Sequence, residues 1–344
     1  MTGSESVAPG SGTARVGRAK LLAFAVALML GALGVGLLAL PGTDATPAPT
    51  PAPRSTASSP KIVSLSPAIT QWVMQLGHAD ALVGVGDGDA VAPAGRPSVG
   101  TFFDVDLERL AGLTPTVVMA ATAPAKLPPA LRAAAERDGF ALAAWPYPAT
   151  LDEAVAVGRK VGGALGDAAA GAEAAIALRQ RLGAVGNAVA GQAPVRTLLL
   201  FSTEPLMACG VGTVHDELLM LAGGVNVLDA EAGTAPTLDR ELLRGLAPDA
   251  VLVMRPGAAP QGGDEDPRLA MLAGLGLPAV AKGRVVLLND PAVLLSGPAM
   301  DTTAVSFAVA LHPQRAEAVA EAYAAVSGLP RALPPTGSRP GGQP

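Results

Sequence analysis

A chain of 344 residues has room for one large domain or two smaller ones. Half of it is apolar, 15% is charged and the formal net charge is −5; with no basic block in its body and only 3% aromatics, it lacks what a nucleic-acid binder needs. The single cysteine, Cys209, excludes an intrachain disulfide or a cysteine-built metal site and reads as small buried filler.

Residues 21–40, LLAFAVALMLGALGVGLLAL, carry no charge. As a helix at ~1.5 Å per residue, the run spans ~30 Å, the hydrocarbon thickness of a bilayer. Arg15, Arg18 and Lys20 precede it and no basic residue follows until Arg54. That asymmetry keeps residues 1–20 in the cytoplasm and sends the rest across the membrane. The run is longer than the usual core of a cleaved signal and its exit, LPGTDAT, fits a cleavage site poorly, so an uncleaved anchor is expected over a signal peptide. No cysteine follows closely enough for a lipid anchor. Residues 41–60 are rich in proline and serine and read as an extended linker, and the tail 329–344 is of similar character. The folded body is therefore about 61–328.

The body opens with an apolar strand at Ile62–Leu65, then Ser66 as an N-cap, Pro67 at the first helical position and Gly77 to close the helix. Apolar strands and amphipathic helices then alternate, the α/β pattern, with further strands expected at Val117–Ala120, Leu142–Trp145, Thr197–Phe201, Ala250–Met254 and Arg284–Leu288. A repeat organises the body. DLERLAGLTPTVVM at 106–119 and DRELLRGLAPDAVLVM at 239–254 share E-x-L-x-G-L-x-P before an apolar strand, pairing Glu108, Leu110, Gly112, Leu113 and Pro115 with Glu241, Leu243, Gly245, Leu246 and Pro248. Asp106 and Asp239 stand at the matching N-cap positions. Two similar lobes follow, at 61–149 and 194–328. Between them, 150–193 is Ala-rich without an internal proline and starts with the capping-box spacing of Thr150 and Glu153. It predicts one long helix, or a helix broken near Gly162–Gly166, spanning from lobe to lobe and leaving a cleft that barely closes.

The segments KIVSLSPAITQWVMQLGHADALVGVG, VGTFFDVDLERLAGLTPTVVMA, VHDELLMLAGGVNVL and TLDRELLRGLAPDAVLVM resemble, in order and spacing over about 62–325, the periplasmic binding proteins of vitamin B12, ferric-siderophore and haem ABC importers. The resemblance implies an α/β fold of two Rossmann-like lobes with central sheets joined by one long α-helix. It implies a monomeric binding component rather than an enzyme, with no intrinsic cofactor, working outside the cytoplasmic membrane with a permease dimer and its ATPase. It places Glu108 and Glu241 opposite basic pockets of that permease, where two separated charges fix orientation on a two-fold partner. The plainer role of an acid in a first helical turn is to complement the helix dipole, typically ~0.3–1 kcal/mol.

For the ligand cleft the resemblance points to Phe102, Phe103 and Trp145 from the first lobe. From the second it points to Met207, Ser296 in the loop Leu294–Pro298, and the cleft rim near His215. Core packing is the alternative for the aromatics. His215, after the CGVGT turn, reads either as an axial ligand to iron or cobalt or as an ordinary helix-terminus histidine. His78 and His312 read as surface turns. Ala235 stands where relatives have a Trp or a haem-ligating Tyr, no Arg stands near Ser296, and GDGDA at 86–90 lacks an aromatic. These departures favour a corrinoid over haem or an anionic siderophore. The glycines near 84–88 and 210–212 match neither a dinucleotide nor a P-loop fingerprint, and no nucleophile elbow is present. A membrane-tethered sensor or accessory module of the same fold, or an exported chelate-processing enzyme, are the rival readings.

Overall fold

Most strand residues of the body are apolar, as expected where both faces of a parallel sheet are covered. The computed structural model describes residues 60–257, 271–272 and 274–328, all within the compact unit Ala57–Pro344. The expected anchor at 21–40, the linker up to its last residue and the tail at 329–344 lie outside the described residues. No helix among the described residues is long and apolar enough to cross a membrane.

In the first lobe β1 (Ile62–Ser64) leads into α1 (Pro67–Gln75), then β2 (Leu82–Val85), α2 (Leu107–Leu113), β3 (Val117–Ala120), α3 (Pro129–Asp138) and β4 (Ala141–Ala144). Ser66 is the N-cap of α1 with Pro67 behind it, although its side chain makes no cap bond. The sheet order is β2-β1-β3-β4, all parallel. Two helices follow, α4 (Leu151–Ala164) and α5 (Ala168–Ala188). The second lobe holds β5 (Val195–Thr203), β6 (Leu206–Ala208), α6 (Val214–Leu221), β7 (Gly224–Asn226), α7 (Arg240–Leu246), β8 (Ala250–Met254), α8 (Pro278–Ala281) and β9 (Val285–Leu288). Helices α9 (Met300–Leu311) and α10 (Ala316–Ser327) end it.

The long strand β5 is shared: its first residues pair in parallel with β7, its last antiparallel with β6, and its middle in parallel with β8. Setting β6 aside, the second sheet runs β7-β5-β8-β9, the same chain order as the first. The duplication seen in the repeat is thus a duplication of sheet topology. Side chains alternate between faces with period two. Ile62, Val117, Met119, Leu199, Leu252 and Leu288 point into one continuous core that includes Trp72, Val161, Leu178 and Phe307 and spans both lobes. Their neighbours Val63 and Val118 pack on the far face of the first sheet. Leu198, Leu200, Val251 and Val253 do so in the second.

The 150–193 connection is not one continuous helix. Gly166 takes a left-handed φ of +78° and Asp167 accepts from Ala170 N at 3.1 Å, so α4 stops and α5 starts afresh. The two then lie against each other as a hairpin. A Cβ on Gly162 would meet Gly171 Cα at 2.6 Å, one on Gly171 would meet Gly158 O at 2.7 Å, and Arg179 pairs with Asp152 at the other end. Glycine is what allows that approach. The hairpin docks on both lobes: Trp72 of α1 packs under Gly158, and Glu217 Oε2 of α6 accepts from Leu151 N at 2.6 Å.

Candidate functional site

The matched Glu positions come from two local structures with the same capping pattern. In α2, Asp106 Oδ1 accepts from Arg109 N at 2.9 Å; in α7, Asp239 Oδ1 accepts from Leu242 N at 2.7 Å. Leu110 and Leu243 are fully buried beneath them. Each helix ends on a left-handed non-glycine residue, Thr114 at φ 47° and Ala247 at φ 42°. These are the two such residues found among the described residues. Glu108 and Glu241 therefore occupy the same first-turn position in each lobe, and both are exposed. The N-cap duty is already filled by the aspartates, which leaves each glutamate side chain to solvent.

The residues expected in the cleft fall into different settings. Phe102 packs on the outer core of the first lobe and meets the Phe103 ring edge-on, centroids 5.0 Å apart, while Phe103 is 88% exposed. Trp145 extends β4, its N–H bonded to Ala120 O at 3.1 Å, and is partly buried against the core that spans the lobes. Met207 is half-buried in β6 and bridges to Thr237. Ser296 is buried at 2% exposure, in a loop whose Gly297 is pressed against Ala68 and Gln71 of α1. Tyr147, two residues beyond Trp145, was not singled out from the sequence, where a tyrosine between two prolines reads as part of a loop. Its hydroxyl lies 3.0 Å from Ser296 Oγ, a direct bond from one lobe to the other.

His215 is buried, with Nε2 2.9 Å from Val293 O. Burial pushes its pKa below the ordinary 6.5, against a smaller upward effect of that bond. A neutral ring donating to the carbonyl ties α6 to the Val293–Pro298 loop. His312 departs from the surface turn expected of it: it is 2% exposed, and its Nε2 lies 3.1 Å from Gly223 O. The reason is Gly223, at φ +82°, where a Cβ would come within 2.4 Å of that nitrogen. Cys209 is buried as expected, its thiol pushed up to about 12 by burial and by nearby Asp216. Asp216 in turn accepts from Gly212 N at 2.9 Å and Asn226 Nδ2 at 3.0 Å, which fixes the CGVGT turn.

Among the described residues no group of three or more His, Cys, Asp or Glu could hold a metal ion. A cavity of about 300 Å³ opens between the β5–β6 turn and the start of α7, lined in part by Thr203, Glu204, Leu238, Arg240 and Met271. None of the expected cleft residues lines it. What the described residues offer is a seam between two lobes, with Trp145 and Tyr147 on one side and Ser296 on the other.

The family described as "Periplasmic binding protein" matches residues 62–292, from the first strand to the loop after the last. The chain belongs to that family. Among curated relatives of this periplasmic binding protein, the vitamin B12-binding protein of Salmonella typhimurium is 26% identical over 204 residues, 57% of this chain and 73% of the relative. Among solved structures, the apo periplasmic heme-binding protein RhuT from Roseiflexus sp. RS-1 is 27% identical with a TM-score of 0.61, covering 76% of this chain and all of the other. The periplasmic vitamin B12-binding protein BtuF of Vibrio cholerae, 23% identical with a TM-score of 0.56, covers 77% and 98% and shares the fold.

Proposed function

We propose that this chain is the extracytoplasmic substrate-binding component of an ABC importer for a metal chelate, with a corrinoid as the favoured cargo. The observation that carries the reading is the seam: two lobes of one topology, held by a helical hairpin, with Trp145 and Tyr147 at its first-lobe edge and Ser296 at its second. A bulky planar cargo needs a pre-formed cleft with aromatic walls and few polar anchors. The B12-binding relative, and Ala235 in place of a haem-ligating Tyr, support the corrinoid. Phe102, Phe103, Met207 and the rim near His215 complete the proposed lining. Glu108 and Glu241 are proposed to dock on the permease dimer, and the run 21–40 to tether the protein to the cytoplasmic membrane with its body outside.

Haem is the second reading, favoured by the likeness to the Roseiflexus heme-binding protein. Calorimetric titration of the full chain with cyanocobalamin, hemin and ferric siderophores separates them. The corrinoid reading expects saturable, one-to-one binding of cyanocobalamin, tighter than that of hemin. Hemin binding alone would transfer the assignment to haem, and binding of none of them would remove the chelate from the proposal.

A further inference from the structure

Tyr147 is a large aromatic residue left 57% exposed, yet its placement is fixed at both ends. Along the chain it stands between Pro146 and Pro148, just beyond β4. A proline locks its own φ near about −65° and pushes the preceding residue into extended backbone. Trp145 and Tyr147 each precede a proline, so both are presented on a stiff stem. At the tip, the hydroxyl meets Ser296 Oγ of the other lobe at 3.0 Å. Ser296 is itself immobilised: it is buried, His215 holds the start of its loop through Val293 O, and Gly297 is wedged against α1. A buried hydroxyl of the second lobe thus orients an exposed ring of the first. Such a ring adds little to the core, but a rigid, partly exposed aromatic face suits a flat ligand, because its ordering cost is met before binding.

We infer that Tyr147 is a ligand-contacting wall of the cleft, offering its ring to the macrocycle of a metal chelate, and that Ser296 is the positioning residue that sets the angle of that ring. The inference rests on the binding reading above. Its test is a set of full-chain variants, Tyr147→Ala, Tyr147→Phe, Ser296→Ala and the Tyr147→Phe/Ser296→Ala double, titrated with cyanocobalamin and hemin. Tyr147→Ala should weaken the accepted probe by about tenfold or more, since it removes a stacked face. Tyr147→Phe and Ser296→Ala break the same bond, so each should cost a few-fold and the double no more than either. Unchanged affinity in Tyr147→Ala overturns the wall, and additive losses in the double overturn the positioning. Amide exchange of the ligand-free protein gives a second readout: 293–298, held by His215 and Gly297, should exchange as in wild type in Tyr147→Phe, whereas both Tyr147→Phe and Ser296→Ala should speed exchange in 145–151. No change in 145–151 also overturns the positioning. A wild type that accepts neither probe sinks the binding reading and the wall together, and exchange alone then decides the role of Ser296.

Discussion

Trp72 and Gly158 are in contact so close that a Cβ on the glycine would lie 2.6, 2.7 and 2.9 Å from three carbons of the indole. Trp72 is fully buried, and this is where the connecting hairpin seats on the first lobe. Gly158→Ala adds one methyl group with no space for it. Helix propensity alone would favour alanine by roughly 1 kcal/mol, but overpacking costs about 1–3 kcal/mol, and a wedge against a rigid ring belongs at the upper end. Thermal unfolding should show a lower midpoint for Gly158→Ala, whereas the exposed Gly163→Ala, with open space around its Cα, should be neutral or stabilising. A stabilised Gly158→Ala would mean that the indole yields.

The docking role proposed for the repeated glutamates is separable from ligand binding. Both side chains are exposed and neither caps its own helix, since Asp106 and Asp239 do so. Glu108→Ala with Glu241→Ala should therefore leave the unfolding midpoint and ligand affinity as in wild type while uptake by cells carrying the cognate permease falls to background. Loss of ligand affinity in the double variant would place these acids in the cleft and remove them from docking.

Much of this architecture was legible because it is written in short-range patterns. Val117–Ala120 and Ala250–Met254 are continuous apolar runs bounded by proline and turn residues, and both strands lie where that pattern puts them. The repeat exposed the second lobe because a buried Leu, an N-cap Asp and an outward Glu recur at one spacing. The hairpin was only half legible: Gly162 and Gly166 marked a break, but the fold-back depends on Gly158, Gly162 and Gly171 meeting across space. Tyr147 and His312 were illegible for the same reason. Their partners, Ser296 and Gly223, lie far along the chain, and local composition gives no sign of them.

A buried ionic cluster closes the second lobe on the hairpin. Arg181 of α5 and Asp301 of α9 form an ion pair with side chains only 14% and 6% exposed, and Tyr323 of α10 donates to the same carboxylate at 3.2 Å. Burial and the Asp301 charge together push the Tyr323 hydroxyl pKa well up, so it stays protonated as a donor. Removing one member strands the others: Asp301→Ala should cost about 3–5 kcal/mol in urea unfolding. The Arg181→Met/Asp301→Leu pair, which leaves no charge behind, should cost far less. Equal losses for the single and double variants would show that packing, rather than the stranded charge, sets the effect.

Acid should loosen the second lobe through its histidines. Unfolded, each imidazole titrates near the ordinary 6.5; folded, burial lowers the pKa of both His215 and His312, with the Arg284 charge adding to the effect at His312. Above about pH 6.5 both states are neutral at these positions, and they contribute no pH dependence. As pH falls through that value the unfolded chain takes up protons first, so stability declines until the folded pKa values are reached. The unfolding midpoint should therefore drop as pH falls below about 6.5. Glutamine can offer an N–H to the same carbonyl without titrating, so His215→Gln with His312→Gln should flatten that drop while keeping the neutral-pH midpoint within a few degrees. The residue with more to lose is His215, because its bond to Val293 also holds the loop bearing Ser296. A double variant as acid-sensitive as the wild type would assign the decline to the carboxylates instead.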